Sequence, residues 1–387
     1  MVVGVPKETC PGETLVALVP AHIPLLTKIG LQIMVESGAG EAAGFEDDAY
    51  RAKGAHVTKD RAELFDSSGF LLQVRAAGAN PERGREDLPL LRKGHILIGL
   101  TDPFGRPEAV REVAERGVTT FAMELVPRIA RAQNLDVLSS LATIAGYKSV
   151  LLAADRLPKL FPMLMTAAGT ISPARVLVIG AGVAGLQAIA TARRLGAAVS
   201  AYDVRVAARE QIQSLGAKAV AIPVEITDAE DAGGYAKLLT EESFRRQREC
   251  LAPIVAASDV VITTAAVPGR QAPLLITGDV VVRMGRGSVI VDAAADRGGN
   301  CELTRPDKVV MRHGVTVLGP TNLASTVPTH ASQMYGRNLV NVLLYLWRHD
   351  SLQVDMEDEV TRGTLVTRDG VVVHPRVQAL LAGGAIH

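Results

Sequence analysis

Residues 175–205 read RVLVIGAGVAGLQAIATARRLGAAVSAYDVR, and this stretch decides the fold. An apolar β-branched run enters the turn Gly180-Ala181-Gly182-Val183-Ala184-Gly185, an alanine-rich helical stripe follows, and a second apolar run stops at Asp203. In such a strand, turn, helix and strand, the first glycine permits the tight turn and the second lets backbone approach a pyrophosphate. The third lets helix and strand pack closely. Phosphate oxygens then meet the free N–H groups of the helix N-terminus. Asp203 follows Gly185 by 18 residues, the spacing of an acid that accepts hydrogen bonds from an adenosine ribose. A carboxylate there favours NAD(H), because the 2′-phosphate of NADP(H) would meet negative charge, while Arg205 two residues on tempers that selectivity. Gly180 to Gly185, with Ala181, Gly182, Val183 and Ala184 between them, and Asp203, Val204 and Arg205 are the expected nucleotide contacts.

The alternation continues on both sides. Downstream, the apolar runs AKAVAIPV (217–224), DVVITTA (259–265), SVIVDAA (288–294) and VTVLGP (315–320) extend a parallel sheet. Upstream, Val2 to Val5, Gln32 to Glu36, Phe70 to Val74, Ile96 to Leu100 and Thr119 to Met123 are predicted strands separated by helical segments such as Pro107 to Arg116. Leu135 to Leu157 carries Leu138, Leu141, Ala142, Ala145 and Leu152 at helical spacing and predicts a long linker helix. Met334, Val340, Leu343, Leu344 and Trp347 stripe a later helix over 331–348, and the tail TLVTRDGVVVHP predicts a hairpin about Asp369 and Gly370. The expected architecture is α/β: two Rossmann-like, doubly wound parallel-sheet domains joined by a long helix. The first comprises 1–137 with the returning segment 328–387, and the nucleotide-binding domain comprises 138–327.

Composition narrows the function classes. A chain of 387 residues exceeds what one hydrophobic core supports, so two domains are expected. Lys+Arg 41 balances Asp+Glu 41, which offers no general attraction to nucleic acid or anionic lipid, and the one basic cluster, Arg245, Arg246 and Arg248, is short. Cys10, Cys250 and Cys301 show no paired spacing, so neither a disulfide framework nor a cysteine metal site is expected. MVVGVPKETCPGE lacks the apolar core of a signal peptide, and the apolar charge-free run Val176 to Ala192 is short of the ~20 residues of a membrane span. A reducing cytoplasm without direct membrane insertion is the expectation.

Two further segments carry chemistry. RIARAQNLDVLSS (128–140) gathers Arg128, Arg131, Gln133, Asp136 and Ser139 at the expected domain junction, where clefts form. The same residues have a structural reading, in which Asp136 or Ser139 caps the linker helix and Arg128 pairs with Asp136. Residues 225–258 are longer than a crossover helix needs and contain Gly233, Gly234 and Tyr235, consistent with a functional loop or with a polar surface helix and its approach.

RxxRAQxxDxLSS, the glycine fingerprint with its DVR end, AGGYAK (232–237), ITTAAVPGRQAP (262–273) and VDAAADRGGN (291–300) together resemble the NAD(H)-binding domain of proton-translocating nicotinamide nucleotide transhydrogenase. The resemblance runs over essentially the whole chain. It implies a soluble alpha subunit that takes NADH and passes its hydride to NADP+ held by a beta subunit, while a membrane-spanning alpha segment or subunit completes proton coupling. It also implies a homodimer on the cytoplasmic face of the inner membrane, attached through partners. By that resemblance Arg128, Asp136, Val137 and Ser139 surround the nicotinamide, Gln133 reaches the partner's nicotinamide ribose, and Gly234 and Tyr235 belong to a loop that closes on nucleotide. Thr264, Ala265 and Ala266 complete the nucleotide contacts. Tyr202 and the GETLVALVP segment depart from the family pattern, which more often shows a threonine and an arginine pair there.

Alanine dehydrogenase is the competing member of this resemblance. It implies an N-terminal arginine, a lysine after the third strand and a histidine near the fourth. Here Leu15, the stretch Gln73-Val74-Arg75 and ILIGLTDP stand in those places, and His95 precedes the strand. An amino-acid dehydrogenase needs an acid/base group and a carboxylate clamp; neither is evident. Asp292 and Asp296 read as structural acids at a strand end.

Overall fold

The apolar runs pair into two parallel sheets in a computed structural model that describes residues 1–222, 241–266 and 271–383. The chain divides into two compact units, Met1–Leu141 with Ala324–His387, and Ala142–Leu323.

In the first unit the sheet runs from Val371–Val372 through Leu365–Arg368, Thr119–Ala122, Ile96–Leu100, Phe70–Arg75, Val2–Val5 and Gln32–Glu36 to His56–Thr58. Its six N-terminal strands are parallel. In chain order they lie 3-2-1-4-5-6, the doubly wound arrangement. Such strands are covered on both faces, which is why they read as unbroken apolar runs; Val3, Val5, Leu71, Leu72 and Ile98 are fully buried. Leu365–Arg368 adds to Thr119–Ala122 antiparallel and turns back through Asp369 and Gly370, whose φ values of 51° and 85° fit a two-residue hairpin turn. The short strand His56–Thr58 was not expected, since a polar three-residue strand has no periodicity to announce it.

The sheet of the second unit runs Lys218–Ala219, Ala198–Tyr202, Arg175–Ile179, Val260–Thr263, Val289–Asp292, Val315–Leu318 and Val309–Arg312. All are parallel except the last, which pairs antiparallel with Val315–Leu318. Among the described residues, the run AKAVAIPV forms a strand at Lys218–Ala219, an edge position where half its ladder has no partner. The edge strand Val309–Arg312 and the exposed hairpin of Leu164–Thr166 with Gly169–Ile171 also escaped the periodicity, because exposed strands need no apolar alternation.

The linker helix is Val137–Arg156, and the later stripe is the helix Pro328–Leu346, which opens on its proline as helix starts favour. Val137–Arg156 is, by length and composition alone, apolar enough to cross a membrane; the charge-free run at 176–192 concealed this candidate. Val150 and Ala153 on that helix are fully buried in the core of the second unit with Val176, Val178 and Ala188. At Gly146 it lies so close to the helix Val183–Arg194 that a Cβ would collide with the Ala184 carbonyl.

Candidate functional site

The glycine turn leaves the strand Arg175–Ile179 at Gly180, whose φ of 95° few residues with a side chain adopt. A Cβ on Gly185 would strike the Gly180 carbonyl oxygen, so the third glycine is required by helix–strand packing; around Gly182, by contrast, there is open space. Gly182 caps the helix Val183–Arg194, and the first bond of that helix runs from the Leu186 N–H to the Gly182 carbonyl at 2.8 Å. The N–H groups of Val183, Ala184 and Gly185 therefore form the free positive end of the helix. These residues fit a dinucleotide pyrophosphate.

Thr264 braces the turn. Its N–H donates to Ile179 O at 2.8 Å and its hydroxyl to Gly180 O at 3.1 Å. Ala265 is held by Asn300, which accepts from the Ala265 N–H at 3.1 Å and donates to the Ala265 carbonyl at 2.8 Å. Asn300 is in turn fixed by Asp292, a fully buried carboxylate that accepts from the N–H groups of Ala294, Asn300 and Cys301 and from the hydroxyls of Thr263 and Thr304. Asp292 is thus structural, and Asn300 is the site-organising residue that pattern reading passed over; the RGGN motif was its only signal. Ala266 is exposed beside them.

Asp203 ends the strand next to the turn and is already engaged. Its oxygens accept the Ala181 N–H at 2.6 Å, the Arg205 N–H at 2.9 Å, and Arg205 Nε and Nη2 at 2.9 and 3.0 Å. Any further donor to this acid would compete with a guanidinium fork. Tyr202, the departure from the family pattern, is buried and its hydroxyl accepts from Gln247 Nε2 at 2.8 Å. Gly234 and Tyr235 lie outside the described residues.

The second set of predicted residues lies in the first unit. Asp136 immediately precedes the helix Val137–Arg156 and accepts from the Ser139 N–H at 2.9 Å and the Ser139 hydroxyl at 2.6 Å, so the pair forms a cap at the helix start. Val137 is fully buried, while Arg128 and Gln133 are exposed. Gln133 sits on the 3-10 turn Ala130–Leu135. Arg131, one residue from that turn's start, donates to Asp358 Oδ1 at 2.7 Å. Burial opposes ionisation of Asp358, but the Thr361 N–H, the Tyr345 hydroxyl and Arg131 hold its carboxyl well below the usual range.

The positions where an amino-acid dehydrogenase would keep its chemistry are occupied structurally. Leu15 is buried. Arg75 Nε is paired at 2.7 Å with Glu13, whose side chain is 1% exposed and also accepts from Ser325. Gln73 is buried and donates to Asp87. His95 is buried at the strand start, and burial together with Arg92 lowers its pKa, so it is neutral near pH 7. Two acids that the sequence reading did not single out sit at strand ends. Burial pushes Glu8 up to about 8 although it accepts the Val74 and Arg75 N–H groups, and pushes Glu124 up to about 7 although it accepts those of Thr101 and Asp102. Among the described residues no group of three or more His, Cys, Asp or Glu could hold a metal ion.

Comparison with known proteins places this geometry. The N-terminal domain model of the alanine dehydrogenase/PNT family matches residues 4–145, and its C-terminal domain model matches residues 149–375. In Rhodospirillum rubrum the NAD(P) transhydrogenase alpha subunit is divided, and the chain that forms its first portion is 44% identical over 100% of both chains. NAD(P) transhydrogenase subunit alpha of Cereibacter sphaeroides is 43% identical over 97% of this chain and 71% of its own. Alanine dehydrogenase of Bacillus subtilis is more distant, at 28% over 97% and 94%. Among solved structures, the transhydrogenase from Sinorhizobium meliloti superposes with TM-score 0.83 at 40% identity, covering 97% of this chain and 99% of its own. An L-alanine dehydrogenase superposes with TM-score 0.82 at 26% identity over 100% of both. The chain belongs to the alanine dehydrogenase/PNT family, as a homologue of the NAD(P) transhydrogenase alpha subunits.

Proposed function

We propose that this chain is the NAD(H)-binding subunit of a proton-translocating NAD(P) transhydrogenase. It takes NADH as substrate and delivers hydride to NADP+ on a beta subunit, and a membrane-spanning alpha segment or subunit couples the transfer to proton movement. The chain acts as a homodimer, peripheral on the cytoplasmic face of the inner membrane through those partners. Support for a multi-subunit assembly comes from the relatives' names, which speak of a subunit alpha and, in Rhodospirillum rubrum, of a divided one.

In this reading the N–H groups of Val183 to Gly185 bind the pyrophosphate, and Asp203 takes the adenosine ribose after Arg205 yields one of its bonds. Arg128, Asp136 and Ser139 hold the nicotinamide end, Gln133 reaches the partner's nucleotide, and Tyr235 with Gly234 closes over the bound substrate. One observation supports the choice against alanine oxidation: at the positions where the resemblance to alanine dehydrogenase implies its chemistry, Leu15 carries no charge, Arg75 is paired with Glu13, and His95 is buried with a lowered pKa. Hydride transfer between two nicotinamides moves no proton from substrate to solvent, so alignment and water exclusion suffice.

The test mixes the purified chain with the NADP(H)-binding domain of a transhydrogenase and follows hydride transfer from NADH to an NADP+ analogue. Transfer is expected, together with no NAD-dependent oxidation of L-alanine by the chain alone; the converse pair of results overturns the proposal. Gln133→Asn, which shortens the side chain by one methylene, is expected to slow transfer far more than it weakens NADH binding in a fluorescence titration. Equal losses in both would contradict the role given to Gln133.

A further inference from the structure

Gln133 is exposed, and its side chain makes no hydrogen bond among the described residues. Whatever precision it has must come from its backbone. The turn that carries it supplies little, because 3-10 geometry is weak in isolation and no side chain caps this turn. The flanks of Gln133, however, are gripped by side chains from the far end of the sequence. The Asn134 carbonyl, one residue after Gln133, accepts two amide donors, Asn338 Nδ2 at 2.8 Å and Asn341 Nδ2 at 2.9 Å. Asn338 and Asn341 stand three residues apart on the helix Pro328–Leu346, the spacing that puts both on one face. Asn338 is 6% exposed, and its Oδ1 accepts the Ser140 hydroxyl at 2.7 Å, which ties the same amide to the helix that follows the turn.

On the other flank, Arg131 donates to Asp358 Oδ1 at 2.7 Å and to the Tyr345 hydroxyl at 3.2 Å, while Tyr345 donates to Asp358 at 2.7 Å. Asp358 cannot drift with its partner. Its second oxygen caps the helix Glu359–Thr364 through the Thr361 N–H at 2.7 Å.

We propose that Asn338, Asn341, Tyr345 and Asp358 are positioning residues for Gln133, clamping its turn so that the rate of hydride transfer depends on them while NADH binding does not. The inference rests on the role proposed for Gln133. Asp136 and Ser139, assigned to the nicotinamide end, bond to each other across their own cap, so NADH binding is expected to survive removal of the clamp. Reacting groups displaced by about 1 Å lose up to 10²-fold in rate, and a released turn allows that much displacement.

The test is the Asn338→Ala, Asn341→Ala double variant, with Asn341→Ala alone as the milder change that retains Asn338. Transfer to an NADP(H)-binding partner domain is expected to slow roughly 10- to 100-fold, with an unchanged dissociation constant for NADH. Amide exchange over 130–136 is expected to quicken in the isolated chain. Asp358→Ala should slow transfer likewise, and Asp358→Asn, whose single oxygen can accept from Arg131 or from the Thr361 N–H but not from both, should restore only part of the rate. Equal loss of binding and transfer, or an unchanged rate with unchanged exchange, overturns the clamp while the wild type still transfers hydride. A wild type that binds NADH yet transfers nothing overturns the reading of Gln133 and this inference with it.

Discussion

Both units lay their first six parallel strands in the order 3-2-1-4-5-6, counting Val315–Leu318 as sixth in the second, and they differ in what stands where strands one and four part. In doubly wound sheets this switch point is where ligands bind. In the second unit the strand Arg175–Ile179 leaves through Gly180, and Thr264 at the end of Val260–Thr263 braces a turn made almost wholly of backbone. Open N–H groups remain for a phosphate. In the first unit Val2–Val5 leaves through Pro6, Lys7 and Glu8, and the Glu8 carboxylate accepts the N–H groups of Val74 and Arg75 at 2.6 and 3.1 Å. The Tyr335 hydroxyl donates to the Gln73 carbonyl beside them. The chain's own side chains occupy the donors that a ligand would use. Topology therefore offers a crevice twice, and residue chemistry opens one and fills the other.

The sharpest way to break this contrast is at the glycines. Gly185→Ala drives a Cβ into the Gly180 carbonyl and should abolish measurable NADH binding and lower Tm, at a cost of about 1–3 kcal/mol for overpacking. Gly182→Ala, which meets open space, should leave Tm unchanged. Equal Tm losses in the two variants would refute the division of labour among the glycines.

A smaller effect is expected at Asp136. Asp136→Ala removes the acceptor for both Ser139 donors and should cost about 1 kcal/mol in urea unfolding, while Asp136→Asn, itself a good cap, should recover most of it.

The plugged switch point in the first unit is sharpened by pH. Burial raises the folded-state pKa of Glu8 from 4.5 to about 8, so between those values the folded chain holds a proton that the unfolded chain has lost. Stability from this group is fully present below pH 4.5 and is lost as pH rises toward 8. Glu124, raised to about 7, acts in the same direction over a narrower window. Urea midpoints measured from about pH 5 to 8 should fall less steeply in Glu8→Gln than in the wild type. A slope unaltered by that substitution would show that Glu8 titrates normally.

Legibility followed the range of the interactions. The turn at Gly180 to Gly185, the acid at Asp203 and the hairpin at Asp369 and Gly370 were readable because each depends on backbone freedom or on neighbours a few residues away. Asp136 and Ser139 were readable as a cap for the same reason. The wrapping of Asp203 by Arg205 was hinted at by their spacing, but the bonding of both oxygens was not. Glu8 under Val74, and Asn338 and Asn341 on Asn134, left no local signal, and the RGGN motif marked Asn300 without its partner Ala265, because each bond joins residues 35 or more apart.

By itself the sequence determined the two-sheet architecture and the glycine turn at Gly180 to Gly185, because apolar periodicity and glycine conformations are properties of short segments. Only the tertiary structure decided which acids are available and which are consumed, which switch point is plugged, and how the Gln133 turn is held. Those outcomes depend on which distant donors and acceptors reach bonding distance, and burial makes an unmet donor or acceptor costly enough to fix each partner.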